Sequence, residues 1–120
     1  MLPASNRIKC NTDFQKIFKQ GATAAKDFLL LKYLPNNLKK TRIGMSVGLK
    51  YSKKATDRNK AKRILRACAA SQLENIKPGY DIIFFLKNTN PEKFNAADLP
   101  LMMSQALYYG RLISYNRKHN

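Results

Sequence analysis

Residues 50–66 constrain this chain more than any other segment, because they hold eight basic residues and a single acid, Asp57. We place Arg58 at 0° on a helical wheel and step about 100° per residue. The apolar residues between about 240° and 340° are then Ala61, Ile64, Leu65 and Cys68. The polar residues between about 0° and 140° are Arg58, Asn59, Lys62, Arg63 and Arg66. The pattern predicts a helix over residues 55–75 with one buried face and one cationic face.

The cationic face carries charge of one sign only. Arg58, Lys62 and Arg66 are spaced by four, and each like-charge pair at that spacing costs roughly 0.2–0.5 kcal/mol. A solvated surface helix would usually intersperse glutamate. Guanidinium groups bind phosphate oxygens through paired hydrogen bonds, and an asparagine adds a neutral donor and acceptor. We therefore interpret this face as a phosphate-binding surface in preference to an ordinary solvated one.

The net charge supports the same interpretation. The chain carries +16, and residues 41–80 alone contain ten basic and two acidic side chains. Such an excess implies an anionic partner, and its position inside the chain favours a shaped surface over a disordered tail. No apolar run approaches the roughly 20 residues that span a bilayer. Nucleic acid is favoured over a membrane surface, since the apolar faces are needed for a core.

Hydrophobic spacing predicts the remaining elements. Helices are expected over residues 11–19 and 96–115, and strands over residues 26–34, 41–49 and 81–86, with a further short strand over 22–25. A turn before residue 41 favours a hairpin between the strands 26–34 and 41–49, and the strand–helix–strand unit favours a parallel pair. The order α-β-β-β-α-β-α indicates a single α+β domain over residues 1–120, a two-layer α/β sandwich.

A search for catalytic groups gives little. His119 is the penultimate residue, the seven acids form no pair in sequence, and there is no glycine-rich phosphate loop. Asp81 follows Pro-Gly and is interpreted as a turn cap. Cys10 and Cys68 make no disulfide framework, and the first residues lack a secretory leader, so we expect reduced thiols in the cytoplasm. We predict no catalytic and no metal-ligating residue in this chain.

Phe14 and Phe18 lie one helical turn apart on the first predicted helix. They could pack in the core, or they could form a platform on which unpaired bases stack. The strand 41–49 alternates a small or polar side that includes Ser46 and Gly48 with an apolar side that ends at Leu49. Small side chains there would let a nucleic-acid backbone approach.

Four runs within residues 6–88 together resemble one known family. They are Asn6-Arg7-Ile8-Lys9, Asp13-Phe14 with Phe18, Arg42-Ile43-Gly44-Met45-Ser46-Val47, and Arg58-Asn59-Lys60-Ala61-Lys62-Arg63-Ile64-Leu65-Arg66. The last run is the most specific, since it follows the Gly-x-Ser-Val strand closely. The combination resembles the protein subunit of bacterial ribonuclease P.

The resemblance implies a fold like the second domain of ribosomal protein S5, with a left-handed strand–helix–strand crossover. It implies that an RNA subunit cleaves precursor tRNA with Mg²⁺, while the protein binds that RNA and the 5′ leader, and that there is no membrane partner or small-molecule substrate. The residues expected to contact the RNA subunit are Lys50, Lys53, Lys54, Arg58, Asn59, Lys62, Arg63 and Arg66. Those expected to line the leader cleft are Phe14, Phe18, Lys32 and Ser46.

The sequence also departs from the family pattern. Gly48-Leu49 stand where serine and lysine are usual, Lys60 replaces a frequent arginine, and Ala61 replaces a larger apolar residue. Lys32 lies where an aromatic is common, so charge pairing would replace stacking there. Two rival hypotheses stay open, a general small basic RNA-binding or ribosomal protein and a nuclease that cleaves without an RNA subunit.

Overall fold

A four-stranded sheet organises residues 2–113, which are the residues that the computed structural model describes. The helices are α1 (Asn11–Gln20), α2 (Ala55–Gln72) and α3 (Leu99–Tyr109), and the strands are β1 (Ala22–Lys26), β2 (Leu29–Pro35), β3 (Arg42–Ser46) and β4 (Tyr80–Leu86). Short 3-10 turns occur at Ala4–Asn6, Leu73–Asn75 and Ala96–Asp98. This order confirms the predicted α-β-β-β-α-β-α arrangement and the α+β class.

The strands are arranged β1-β2-β4-β3, with β1/β2 and β2/β4 antiparallel and β3/β4 parallel. The parallel pair around α2 is confirmed, but the predicted hairpin between β2 and β3 is wrong because β4 lies between them. The run from Ile82 to Phe84 is fully buried and needs cover on both faces, which a central strand receives. In contrast, β3 carries Gly44 and Ser46 and occupies an edge.

Three predicted boundaries are also wrong. Asp27 adopts a positive φ of 54° in the turn between β1 and β2, so the strand expected over 26–34 begins only at Leu29. The strand expected over 41–49 ends at Ser46, and Leu49 is 69% exposed instead of buried. The last helix ends at Tyr109, because the chain turns there and the Lys77 amide donates to the Leu112 carbonyl at 2.7 Å. The expected end of that helix, with His119, lies outside the described residues.

The two faces of the sheet are covered unequally. One face packs against α2 and α3 in a large core whose members include Leu31, Phe84, Leu65 and Met103. The other face meets α1 in a smaller cluster, whose buried members are Ile8, Ile17 and Ile83 and whose half-buried members include Phe14 and Phe85. The α1 face is therefore the side of the sheet where apolar side chains remain accessible.

An ion-pair cluster fixes α1 to the parallel strands. The Arg42 guanidinium donates to both carboxylate oxygens of Asp81, at 2.8 and 2.6 Å, and approaches an Asp13 carboxylate oxygen at 3.5 Å. The Asn36 amide also donates to Asp81 at 2.9 Å. The hydrogen bonds that Arg42 donates to Asp81 raise the pKa of Arg42. Asp81 is thus a buried acceptor, and its interpretation as a turn cap is wrong. We call Asp13, Asn36, Arg42 and Asp81 the Arg42 cluster.

Candidate nucleic-acid interface

Local hydrogen bonds fix the beginning of α2. The Ser52 hydroxyl accepts from the Lys54 amide at 3.1 Å and donates to the Asp57 carboxylate at 2.8 Å. The Arg58 guanidinium donates to the Ser52 carbonyl at 3.0 Å, which holds that guanidinium group against the start of the helix. Asp57 in the first turn also matches the positive end of the helix dipole. The orientation of the helix faces is set at this point.

The predicted division of α2 into two faces is confirmed. Ala61, Leu65 and Cys68 are buried, and Ile64 is partly buried against the same core. The opposite side is exposed or half-exposed, and we call it the α2 ridge; its members are Arg58, Asn59, Lys62, Arg63 and Arg66. Within residues 2–113 the only ion pairs are those of Arg42, so no ridge cation has a carboxylate within 4.0 Å. The positive charges of the ridge therefore face solvent without a neutralising carboxylate nearby.

Three further predicted cations extend the ridge towards the sheet. Lys50, Lys53 and Lys54 are all exposed in the connection from β3 to α2. This connection turns at Gly48, whose carbonyl accepts from the Tyr51 amide at 3.1 Å. The connection leads directly into the first turn of α2, so these lysines come just before the ridge along the chain. All eight residues expected to contact an RNA subunit are exposed or half-exposed.

The second predicted group lies on the α1 face. The strand register pairs Phe85 with both Ser46 and Leu30. Two residues away along the strands, it pairs Ile83 with both Gly44 and Lys32. Side chains of alternate residues share a face, so Ser46, Lys32 and Phe85 face the side that α1 occupies. The Phe18 ring meets the Phe85 ring edge-on, with centroids 5.7 Å apart. We call this surface the cleft; its members are Phe18, Leu30, Lys32, Ser46 and Phe85.

The two phenylalanines of α1 have different environments. A Cβ atom built on Gly44 would lie 2.6 Å from Cζ of Phe14, so the Phe14 ring fills the space above that glycine. Phe14 is a packing residue of the smaller cluster. Phe18 is 38% exposed and leaves part of its ring open to a ligand. The structure therefore separates the two alternatives, with core packing at Phe14 and an open aromatic surface at Phe18.

Sequence reasoning missed Phe85 and Leu30. Phe85 lies in an apolar run that was interpreted as wholly buried, yet it is half-exposed beside Ser46. Only the strand order and register reveal that alternate residues of β4 face α1. The floor of the cleft is consequently more aromatic than the sequence indicated.

Lys32 is the unusual polar member of the cleft. It is half-buried on a floor that includes Ile83 and Leu30. Among the described residues, no carboxylate lies within 4.0 Å of its ammonium group. A half-buried lysine beside an open aromatic surface is suited to an anionic or acceptor-rich ligand.

The described residues contain no group of three or more His, Cys, Asp or Glu side chains that could hold a metal ion. Cys68 is buried, which raises the pKa of its thiol to about 11. Cys10 is exposed, and hydrogen bonds from Thr12 lower the pKa of its thiol. No helix within residues 2–113 is long and apolar enough to cross a membrane.

Comparison with known proteins gives a consistent result. The family model of ribonuclease P matches residues 2–106, a range that contains the whole ridge and cleft. The ribonuclease P protein component of Synechocystis is 36% identical over 110 residues, which cover 88% of each chain. A solved Staphylococcus aureus RNase P protein superposes with a TM-score of 0.78 at 28% identity, over 91% of this chain and 98% of that one. A mutant of that protein with defective mRNA degradation activity also superposes with a TM-score of 0.78, at 26% identity, over 91% of each chain.

Proposed function

Since the chain belongs to the ribonuclease P protein family, whose work is tRNA processing, we propose that it binds two RNAs in one holoenzyme. The α2 ridge and the lysines before it contact a catalytic RNA subunit. The cleft holds the 5′ leader of precursor tRNA. The observation that carries this proposal is the absence of carboxylate partners for the ridge, within residues 2–113.

Phosphate binding explains the unpaired ridge. Each phosphate that a cation neutralises releases condensed counterions, and log affinity then falls by about 0.7–0.9 per phosphate for each unit of log salt concentration. If the ridge neutralises about five phosphates, affinity falls with roughly the third to fifth power of salt. This dependence is a measurable signature of the proposed contact.

The cleft suits a single strand better than a duplex. Single-stranded RNA bases stack on aromatic side chains, and this stacking tolerates sequence variation. Phe18 and Phe85 offer such a surface, and the Lys32 ammonium group lies within it as a donor to phosphates or to base edges. A leader is present in precursor tRNA and absent from mature tRNA, so the cleft would favour substrate over product.

We propose that the RNA subunit holds the magnesium, because the described residues offer no set of metal ligands. The contribution of this chain would be electrostatic. By neutralising phosphates near the RNA site, the ridge reduces repulsion between RNA segments and lowers the magnesium concentration needed for cleavage.

One assay tests the proposal against its rivals. Precursor tRNA is incubated at low magnesium with the family's RNA subunit alone, with this protein alone, and with both. We expect 5′ leader removal only when both are present. Cleavage by the protein alone would indicate an independent nuclease, and failure to stimulate the RNA would indicate a general RNA-binding protein.

Turnover of mRNA by the protein alone is a rival that one relative raises, since an S. aureus mutant is described as defective in mRNA degradation. The carboxylates of Asp13 and Asp81 are both paired with Arg42. The described residues contain no group of three or more His, Cys, Asp or Glu side chains that could hold a metal ion for cleavage. Incubating the protein alone with a labelled mRNA tests this candidate. We expect no cleavage above a buffer control.

A further inference from the structure

A cavity of about 250 Å³ opens beside the α2 ridge, between the first turns of α2 and the segment that follows β4. Ala61 and Ile64 line one side, Tyr51 and Phe94 are its aromatic members, and Asp57 and Lys60 are its charged members. Lys60 lies at about 200° on the helical wheel, between Arg63 at about 140° and Ile64 at about 240°. The cavity is therefore at the border between the cationic and the buried face of the same helix.

Tyr51 brings an unpartnered donor to this cavity. This residue is only 7% exposed, yet within residues 2–113 its hydroxyl makes no hydrogen bond. Burial and the neighbouring Asp57 charge raise the pKa of Tyr51, so the hydroxyl keeps its proton at physiological pH. A donor without a protein partner is available to a ligand that accepts its hydrogen bond.

Asp57 brings an acceptor. One carboxylate oxygen accepts from the Ser52 hydroxyl, while Oδ1 has no partner among the described residues. The Ser52 contact holds the carboxylate in place, since Ser52 also accepts from the Lys54 amide. Tyr51 and Asp57 thus offer one fixed donor and one fixed acceptor to the same space.

The walls favour a flat ring. The Tyr51 and Phe94 rings meet edge-on with centroids 6.1 Å apart, and the Phe94 ring meets that of Phe28 at 5.6 Å. These contacts hold Phe94 in place as a wall. The volume is below the roughly 300–1,000 Å³ of pockets for drug-sized ligands, so it suits a single ring system.

We propose that this cavity accepts one unpaired nucleobase that carries an exocyclic amino group, extruded from the RNA bound along the α2 ridge. The amino group donates to Asp57, a ring nitrogen accepts from the Tyr51 hydroxyl, and the phosphate of the same nucleotide meets the Lys60 ammonium. The base enters from the ridge side, where the RNA backbone already lies. This inference rests on the proposed function, since the ridge must hold the RNA that supplies the base.

Tyr51→Phe tests the donor, because it removes one hydroxyl and leaves the ring. Binding of the RNA subunit is measured at fixed salt and across a salt series, with Tyr80→Phe as the matched control outside the cavity. We expect a three- to tenfold loss of affinity for Tyr51→Phe, an unchanged salt slope, and a change below twofold for Tyr80→Phe. Ala96→Trp, which places an indole at the cavity, should weaken binding by at least as much.

Free nucleotides test the base preference. AMP, CMP and UMP are titrated at millimolar concentration while NMR signals of Tyr51, Phe94 and Ala96 are followed. AMP and CMP carry the amino group and should shift these signals, and UMP should not. Equal shifts with UMP would overturn the role of Asp57.

The remaining outcomes separate the two proposals. If Tyr51→Phe and Ala96→Trp both bind the RNA as the wild type does, while Arg63→Ala binds weakly, the cavity proposal is wrong and the proposed function stands. If the wild type does not bind the RNA subunit at all, the proposed function is wrong. A clear drop in the melting temperature of free Tyr51→Phe would reveal an internal partner of the hydroxyl and overturn the cavity proposal.

Discussion

Arginine has carboxylate partners in the Arg42 cluster and none on the α2 ridge, within the part of the chain that the structure describes. Arg42 is 24% exposed in its side chain, and its guanidinium group contacts two carboxylates. The ridge arginines have no carboxylate within 4.0 Å in the described chain. A chain with 23 basic and seven acidic residues cannot neutralise every cation. It places two of its acids on the arginine that joins α1, β3 and β4, and within residues 2–113 no acid forms an ion pair with the ridge.

The comparison shows what decides the role of an arginine. Arg42 and Asp81 are register partners on the parallel strands β3 and β4, so folding itself brings them together. The acid that α2 carries, Asp57, accepts a hydrogen bond from Ser52, and it lies within 4.0 Å of no ridge cation. We infer that Arg42 serves the fold and that the ridge serves a ligand, although both belong to sequence runs typical of the same family.

The largest expected effect follows from breaking the Arg42 cluster. Asp81→Ala leaves the half-buried Arg42 guanidinium without its closest partner, and removing one side of a buried ion pair costs about 3–5 kcal/mol. Urea unfolding should report a loss near the lower value, because Arg42 retains its longer contact to Asp13. Glu74→Ala, which removes an exposed acid, should change stability by less than about 0.5 kcal/mol. A loss below about 1 kcal/mol for Asp81→Ala would remove the distinction between the two regions.

The next largest effect is a loss of affinity for the RNA subunit when ridge arginines are removed, with the free energy of unfolding nearly unchanged. Arg63→Ala combined with Arg66→Ala removes two phosphate contacts, each worth about 1 kcal/mol. We expect a loss of about 10- to 30-fold in affinity for the RNA subunit, and a salt slope lowered by about 1.5. Lys77→Ala, an exposed cation remote from the ridge in sequence, is the control and should have little effect. An unfolding free energy lowered by more than about 1 kcal/mol would show that the ridge also supports the fold.

Periodicity alone predicted most of α2, since a single helix carries both of its faces. It predicted Ala61, Leu65 and Cys68 inside and the arginines outside, and the structure confirms both sides. The existence of the strands and the parallel pair were also predictable. The strands depend on residues that are close in sequence, and the parallel pair follows from the general geometry of a strand–helix–strand unit.

Strand order and side-chain pairing were not predictable in the same way. The β2–β3 hairpin was wrong because β4, about 40 residues later, occupies the place between them. The Arg42–Asp81 pair and the exposure of Phe85 both depend on that insertion. Contacts between distant segments follow from the competition of strands for the centre of the sheet, which local patterns do not record.

A smaller effect should separate the two phenylalanines of α1. Phe18→Leu removes the open aromatic ring beside Phe85, and loss of one stacked base is worth about 1–3 kcal/mol. We expect roughly fivefold weaker binding of precursor tRNA to the holoenzyme, with mature tRNA unaffected. Phe14→Leu is the matched control, since Phe14 packs over Gly44 and its loss should lower stability while discrimination between the two tRNAs remains. Equal weakening of precursor and mature tRNA by Phe18→Leu would contradict the leader assignment.

The smallest expected effect comes from a ridge substitution that stabilises the free protein and weakens its binding to the RNA subunit. Lys62 lies four residues from both Arg58 and Arg66, so Lys62→Glu replaces two like-charge pairs by two attractive ones. Each replacement removes a cost of about 0.2–0.5 kcal/mol and adds a similar gain, and the pair with Arg66 gains more because the introduced acid precedes that base along the helix. Two replacements at the lower end of this range, which suits solvent-exposed side chains, should make the free protein more stable by about 0.8–1 kcal/mol, measured by urea unfolding at low salt, while its affinity for the RNA subunit falls. Lys62→Gln should give about half of each change. If Lys62→Glu raised the free energy of unfolding and left the affinity for the RNA subunit unchanged, the ridge would have no role in RNA binding. That result would refute the contrast with the Arg42 cluster.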